Sequence, residues 1–349
     1  MNYYDSYSTD LSHIADRRRI GLWINQSDYA VKNAGGSEVD IHVLTPFSDP
    51  FLLNKLPSDT RTILDLVDGY LTDKPHIAKD FLRYFLRTSK LKALLKPKRF
   101  STSLENVCSK VDLVVVASNE QAAVVERLNP NVLVIRDCHD ELGPPLQVRD
   151  FKKSDNFNLF WEGLGFTLFH FREIASELGL FLLETNSLLH LVTNENFPKY
   201  GNKFGTIRTR DLVKDVFGPA ANHVVVHKWT QEKVIEVAKN SDFGIIPINE
   251  NDQFARLKPE NKLLIYWRLG LPTLFSDTPS YLRVAKAANV TGFSVKSGEW
   301  GHKLGELAST KENRVKNMDD VRSYLLETHS KQVILRQWKV ALESLSDTR

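Results

Sequence analysis

The sequence predicts an α/β protein built from two doubly wound domains facing a cleft. Short apolar runs that read as buried strands alternate with amphipathic segments along most of the chain, the pattern of parallel sheets covered by helices. The 349 residues are long for one core and suit two of about 150 to 180 residues each. The alternation breaks once, over 137–155, where Gly143-Pro144-Pro145 and a charged run keep no consistent period. This break divides an N-terminal domain, 1–150, from a C-terminal domain, 151–349. Ligands in such folds bind outside the carboxyl ends of the strands.

The elements follow in order. Residues 19–24 read as a first strand and 62–67 as another. Residues 111–117 form a clear buried strand, after which Ser118 and Gln121 make a capping box for a helix ending near Leu128. Asn129-Pro130-Asn131 turns the chain into a strand over 132–135. Beyond the break, strands are expected at 158–161, 187–192, 224–226 and 243–248, with a helix over 230–240 capped by Thr230. The residues from 319 onward read as one or two helices, and no internal repeat is present.

Composition narrows the function classes. A hydrophobic content of 42% and a charged content of 26% describe a globular protein of enzyme size. The net charge of +3 is too small to make nucleic acid the principal partner. No apolar run approaches bilayer-spanning length, and 1–16 lacks the basic-then-apolar order of a signal peptide. The two cysteines, Cys108 and Cys138, supply neither a disulfide framework nor a zinc spacing. A cytoplasmic protein is expected.

Residues 258–276 are the most informative stretch. Pro259 suits the first position of a helix, Gly270 suits its stop, and Pro272 keeps the helix from running on. Leu263, Leu264, Trp267 and Leu269 supply an apolar face. Unpaired N–H groups at the helix start, with Arg256, Lys258, Asn261 and Lys262 beside them, make a seat for an anion. An ordinary amphipathic helix with solvated lysines has the same composition.

Lys262, Leu263, Tyr266, Gly270, Pro272 and Ser276 fall on the pattern K-L-x-x-Y-x-x-x-G-x-P followed by a short strand ending in a small residue. The segment resembles the donor-binding stretch of GT-B-fold glycosyltransferases, and the likeness extends over roughly 222–295. It implies two Rossmann-like domains, a nucleotide sugar held by the C-terminal one, and a last helix crossing back to the N-terminal domain, with Trp338 as anchor. By the same resemblance Lys262, the helix start and Ser276 belong to the donor site. The sequence departs from the largest retaining family at Ile265 and Leu257, where a pair of glutamates is usual; Glu260 is the available substitute for holding the ribose.

Other candidates lie at strand ends. Gly35 and Gly36 let backbone amides approach a phosphate closely, although a surface turn has the same composition. Gly163, in Trp161-Glu162-Gly163, occupies a turn that in the resembled family passes under the donor phosphates; the arginine and lysine that usually follow are absent, so Arg256, Lys258 and Lys262 are the substitutes. Asp68, near the end of the 62–67 strand, is the candidate base for an acceptor hydroxyl and is preferred to Asp65. His42, His139 and Asp140 are weaker rivals. Residues 83–99 hold seven basic residues and no acid, interleaved with apolar ones, which suits either a solvated helix or an anionic membrane surface.

The expected activity is transfer of a sugar, hexosyl or related, from a nucleotide-diphosphate sugar to an acceptor hydroxyl on a glycan or lipid-linked molecule. Polysaccharide or glycoconjugate synthesis is the context the resemblance implies. No cofactor is expected besides the nucleotide-sugar co-substrate. No aspartate-x-aspartate motif stands at a strand end, so metal-independent transfer is expected. A nucleotide-sugar 2-epimerase and a non-catalytic GT-B binding module are the alternatives.

Overall fold

In a computed structural model, the described residues are 2–8, 11, 13–26, 40–49, 51–71, 77–87, 98–145, 156–199, 205–249, 251–256, 258–290 and 292–346. Gly35, Gly36, Leu257 and residues 88–97 of the basic segment lie outside them. Contacts divide the chain into two units. One comprises Met1–Asp140, Gln253–Pro259 and His329–Arg349; the other comprises Glu141–Asp252 and Glu260–Thr328. The first unit is thus discontinuous in sequence.

In the first unit, β1 (Asn2–Tyr4), β2 (Ile41–Leu44), β3 (Arg61–Leu66), β4 (Leu113–Val116) and β5 (Val132–Val134) form a parallel sheet in chain order. Successive side chains point to opposite faces of a strand, which builds two cores from one sheet. Leu44, Leu64, Leu66, Val114 and Val116 meet Tyr84, Phe100, Leu104, Val107, Ala122 and Val125. These come from α3 (Ile77–Arg87), α4 (Phe100–Cys108) and α5 (Asn119–Val125). The opposite face, with Ile41, Val43, Ile63, Leu113 and Val115, is covered by Ile20, Trp23, Ile334, Trp338 and Ala341. The strand order does not reverse among the described residues. Coverage of this second face comes from α2 (Ile20–Ile24) and the last helix of the chain, Lys331–Ser346, with α1 (Ile14–Arg18) packed against α2.

The expected first strand at 19–24 is therefore a correction: it is the short helix α2, and the sheet begins at Asn2. Ile20, Gly21 and Trp23 are its buried positions, a helical spacing inside a run too short and apolar to betray its period. Gly21 packs against α1 so tightly that a Cβ would lie 2.6 Å from the Asp16 carbonyl oxygen. Arg19, just before it, is fully buried. Its guanidinium pairs with Asp65 at 2.6 Å and Asp137 at 3.0 Å and lies 5.8 Å from the centre of the Trp338 ring.

In the second unit a six-stranded parallel sheet runs β10-β7-β6-β11-β12-β13. The strands are β6 (Asn158–Glu162), β7 (Leu188–Thr193), β10 (Val224–Lys228), β11 (Phe243–Ile246), β12 (Thr273–Ser276) and β13 (Ser294–Val295). A small antiparallel ribbon, β8 (Asn196–Pro198) with β9 (Thr206–Arg208), stands apart. The chain winds outward from β6 through β7 to β10, then returns to β11 and winds the other way. The order reverses between β6 and β11.

The covering helices are α6 (Ala175–Glu184), α7 (Thr209–Phe217), α8 (Gln231–Lys239), α10 (Asn261–Arg268), α11 (Pro279–Ala287), α12 (Trp300–Ser309) and α13 (Lys311–Thr328). The short α9 (Gln253–Arg256) and the last helix, α14 (Lys331–Ser346), fall in the first unit. Thr230 caps α8 through the Lys233 N–H, and Ser118 caps α5 through the Gln121 N–H. Among the described residues no helix is long and apolar enough to cross a membrane.

Candidate functional site

A parallel sheet leaves a crevice where its strand order reverses, at the carboxyl ends of the two strands that diverge. In the second unit these strands are β6 and β11. The polypeptide leaves β6 through Glu162 and Gly163 and leaves β11 through Pro247, Ile248 and Asn249. The helix α10 joins β11 to β12 by way of its own connecting segments, so its first turn belongs to the same end of the sheet.

Lys262 sits in that first turn. Its Nζ lies 4.6 Å from the centre of the Trp161 ring, and a Cβ on Gly163 would stand 2.8 Å from it. The indole is itself fixed, buried and edge-on to Phe171 at 5.6 Å between centroids. Only a residue without a side chain lets the lysine amino group lie this close to the turn after β6. Glycine at 163 and lysine at 262 thus act together, and Trp161 forms the floor under the ammonium.

Tyr266, one turn later, holds α10 to the sheet. Its hydroxyl accepts the Glu162 N–H at 2.7 Å, and its ring meets Phe160 edge-on at 5.0 Å. Gly244 on β11 makes room for that ring; a Cβ there would lie 2.5 Å from it. Burial pushes the phenol well above its ordinary pKa, so Tyr266 stays neutral and acts as a strut. Gly270, with φ +76°, ends the helix in the left-handed conformation that glycine tolerates best.

The helix starts later than its sequence suggests. Glu260 is the N-cap and Asn261 the first helical residue, which leaves Pro259 before the cap rather than at the first helical position. The Glu260 side chain makes no capping hydrogen bond. Instead its buried carboxylate pairs with Arg283 on α11 at 2.9 Å. The amides of the α10 first turn lack intrahelical acceptors, and the cap side chain supplies none.

Ser276, the last residue of β12, accepts the Ile248 N–H on its hydroxyl at 2.9 Å. His170 Nδ1 accepts the Asn249 N–H at 3.0 Å, which leaves the proton of the neutral ring on Nε2. These two side chains pin the segment leaving β11. His170 escapes a reading of the sequence because it stands alone in the apolar run 166–171. Trp161 and Arg283 escape it because their partners, Lys262 and Glu260, are distant along the chain.

Arg256 ends α9 and Lys258 follows it; by their contacts both belong to the first unit. Of the three expected cations, Lys262 is the one in the second.

No protein-family model matches this sequence, and no curated protein does. Solved structures match it by shape. TarM superposes with a TM-score of 0.59 at 10% identity, covering 85% of this chain and 53% of that one. WaaG, a glycosyltransferase involved in lipopolysaccharide biosynthesis, gives 0.54 at 12%, covering 98% and 97%. Trehalose-6-phosphate synthase OtsA gives 0.57 at 10%, covering 90% and 74%. The fold is that of the GT-B glycosyltransferases. The chain spans about half the length of TarM and nearly all of WaaG.

Within this GT-B fold, the first unit carries the candidate base. Asp68 stands two residues past the end of β3, half-buried, beside a small apolar cavity lined by Leu66, Leu71, Gln121 and Val125. Asp65, inside the strand, is fully buried against Arg19; its burial raises the carboxyl pKa against the pull of the guanidinium. It serves the core. His42 is buried in β2 and pushed down to about 4 by that burial, and His139 is buried as well.

Proposed function

We propose that this protein transfers a sugar from a nucleotide-diphosphate sugar to an acceptor hydroxyl. One observation carries the reading: at the reversal point of the second sheet, the Lys262 amino group lies over Gly163 at the start of α10. A diphosphate placed there meets a lysine, the positive end of a helix dipole and a turn whose glycine admits close approach. As the bond from the sugar carbon to the diphosphate oxygen breaks, negative charge grows on the departing group. Lys262 and the helix start stabilise that charge, and most of the rate enhancement is electrostatic.

Tyr266, Ser276 and His170 position the backbone around the donor. Asp68 would take the acceptor proton as the new glycosidic bond forms. The transfer reads as metal-independent and hexosyl or related, with a glycan or lipid-linked acceptor and a role in polysaccharide or glycoconjugate synthesis. UDP is the first nucleotide to test, because an S. aureus TarM complex contains UDP and the E. coli trehalose-6-phosphate protein was seen with UDP-2-fluoro glucose.

The test is turnover of UDP-sugars with the unmodified chain, Lys262→Ala and Asp68→Asn. Release of UDP dependent on acceptor, weakened through donor binding in the first variant and through turnover in the second, is the expected result. Donor binding with no transfer under a broad acceptor screen would contradict it.

A further inference from the structure

A buried side-chain amide beside Asp68 has its donor end unmet. Gln121, in the first turn of α5, is only 4% exposed. Its Oε1 accepts the Ala117 N–H at 2.9 Å. That bond fixes which way the amide faces, because only the oxygen can take the proton. Nε2, the other end of the amide, is buried and has no acceptor among the described residues. The helix start does not need it: Ser118 caps the Gln121 N–H, and Oε1 serves Ala117. A buried donor of this kind calls for a partner from outside the fold.

The surroundings of Gln121 define that partner. Leu66, Asp68, Leu71, Glu120, Gln121 and Val125 line a cavity at the carboxyl end of β3. Its volume of about 10 Å³ has room for one water-sized oxygen. The polar side chains lining it are one amide and two carboxylates. A neutral hydroxyl matches both, accepting from Gln121 and donating to Asp68. A carboxylate or phosphate would set its charge against Asp68 and Glu120. An ammonium has no lone pair to offer the Gln121 donor.

We propose that Gln121 and Asp68 together hold the reacting hydroxyl of the acceptor, with Gln121 Nε2 donating to its oxygen and Asp68 accepting its proton. The identity of this hydroxyl as the nucleophile rests on the proposed transferase function. In the transfer, the hydroxyl proton passes to the Asp68 carboxylate and the oxygen bonds to the sugar carbon. The bond from that carbon to the diphosphate oxygen breaks, and its electron pair leaves with the diphosphate. The Gln121 hydrogen bond occupies one lone pair of the acceptor oxygen and leaves the other for the sugar carbon.

The experiment follows the Gln121 side-chain amide by NMR in the isotope-labelled full chain, titrated with glycerol, methyl glucoside and sodium acetate. Gln121→Glu identifies the signal by its loss. That variant keeps an oxygen for the Ala117 N–H and makes a Ser-x-x-Glu capping box, so it should fold. The signal should shift with the two hydroxyl compounds and not with acetate, and Asp68→Asn should weaken the response roughly tenfold. In the turnover of UDP-sugars, Gln121→Glu should lose roughly tenfold or more of the acceptor-dependent rate at unchanged UDP affinity. A signal unmoved by both hydroxyl compounds would mean a cavity that holds water only, and would overturn the proposal. So would an equal shift with acetate, or an acceptor-dependent rate unchanged in Gln121→Glu. Absence of UDP binding with the amide shift intact would contradict the transferase function while supporting the hydroxyl site.

Discussion

Lys262 reaches the turn after β6 only because residue 163 has no side chain. Gly163→Ala places a methyl 2.8 Å from Nζ and 2.9 Å from the Trp161 ring. The amino group can swing away, but the packed indole cannot. Nucleotide-diphosphate affinity should therefore fall, measured by titration, with a stability cost of about 1–3 kcal/mol in urea unfolding. An alanine variant that binds as tightly as the unmodified chain would show that this close approach is incidental. Tyr266→Phe removes the acceptor of the Glu162 N–H and should cost about 1–2 kcal/mol. Arg19→Met leaves Asp65 and Asp137 without their guanidinium in the first core, and about 3–5 kcal/mol should be lost. A change under 1 kcal/mol in that variant would mean that the carboxyls take up protons at no cost.

At the scale of elements, β7 and β10 meet through two imidazoles. His190 Nε2 donates to Asn158 Oδ1 at 3.0 Å, so its Nδ1 accepts from His227 Nε2, also at 3.0 Å. His190 must be neutral for this chain of hydrogen bonds, because its Nδ1 is the acceptor. Burial and then the neighbouring His227 push His190 down to about 4, and burial pushes His227 down as well. The unfolded chain binds these protons more readily than the folded one. Stability is therefore full above the ordinary histidine pKa near 6.5 and falls as the pH drops from there towards 4. His42, also lowered to about 4 by burial, adds the same sign in the first unit. Melting temperature against pH should slope more gently over this window in His190→Gln; an identical slope would remove the pair from the acid response.

The same scale shows what the sequence made legible. The strands at 62–67, 111–117 and 158–161 and the helices capped by Ser118 and Thr230 announce themselves because local chemistry decides them: an apolar run with turn residues, or a hydroxyl at a helix start. The segment at 19–24 does not, because its helical state comes from distant partners. Arg19 reaches Asp65 and Asp137, and Gly21 fits against Asp16. Tertiary contacts override a weak local period there. The start of α10 shifted for a related reason: Pro259 is compatible with a first helical turn, but Glu260, tied to Arg283, takes the cap.

For the whole molecule, the reversal between β6 and β11 matters most, because strand order is a property of neither strand. Gly163 and Lys262 could each be named from sequence, by the turn after a strand and by the K-L-x-x-Y pattern. Trp161 as the floor between them could not, since a tryptophan in a buried strand reads as core. The proposed function requires these residues to form a diphosphate seat. Calorimetric titration of the chain with UDP, GDP, ADP and dTDP tests it most directly. Selective binding of one nucleotide, weakened roughly ten- to a hundredfold in Lys262→Ala with the melting temperature unchanged, is the predicted result. Binding of none, or affinity indifferent to Lys262, would contradict it.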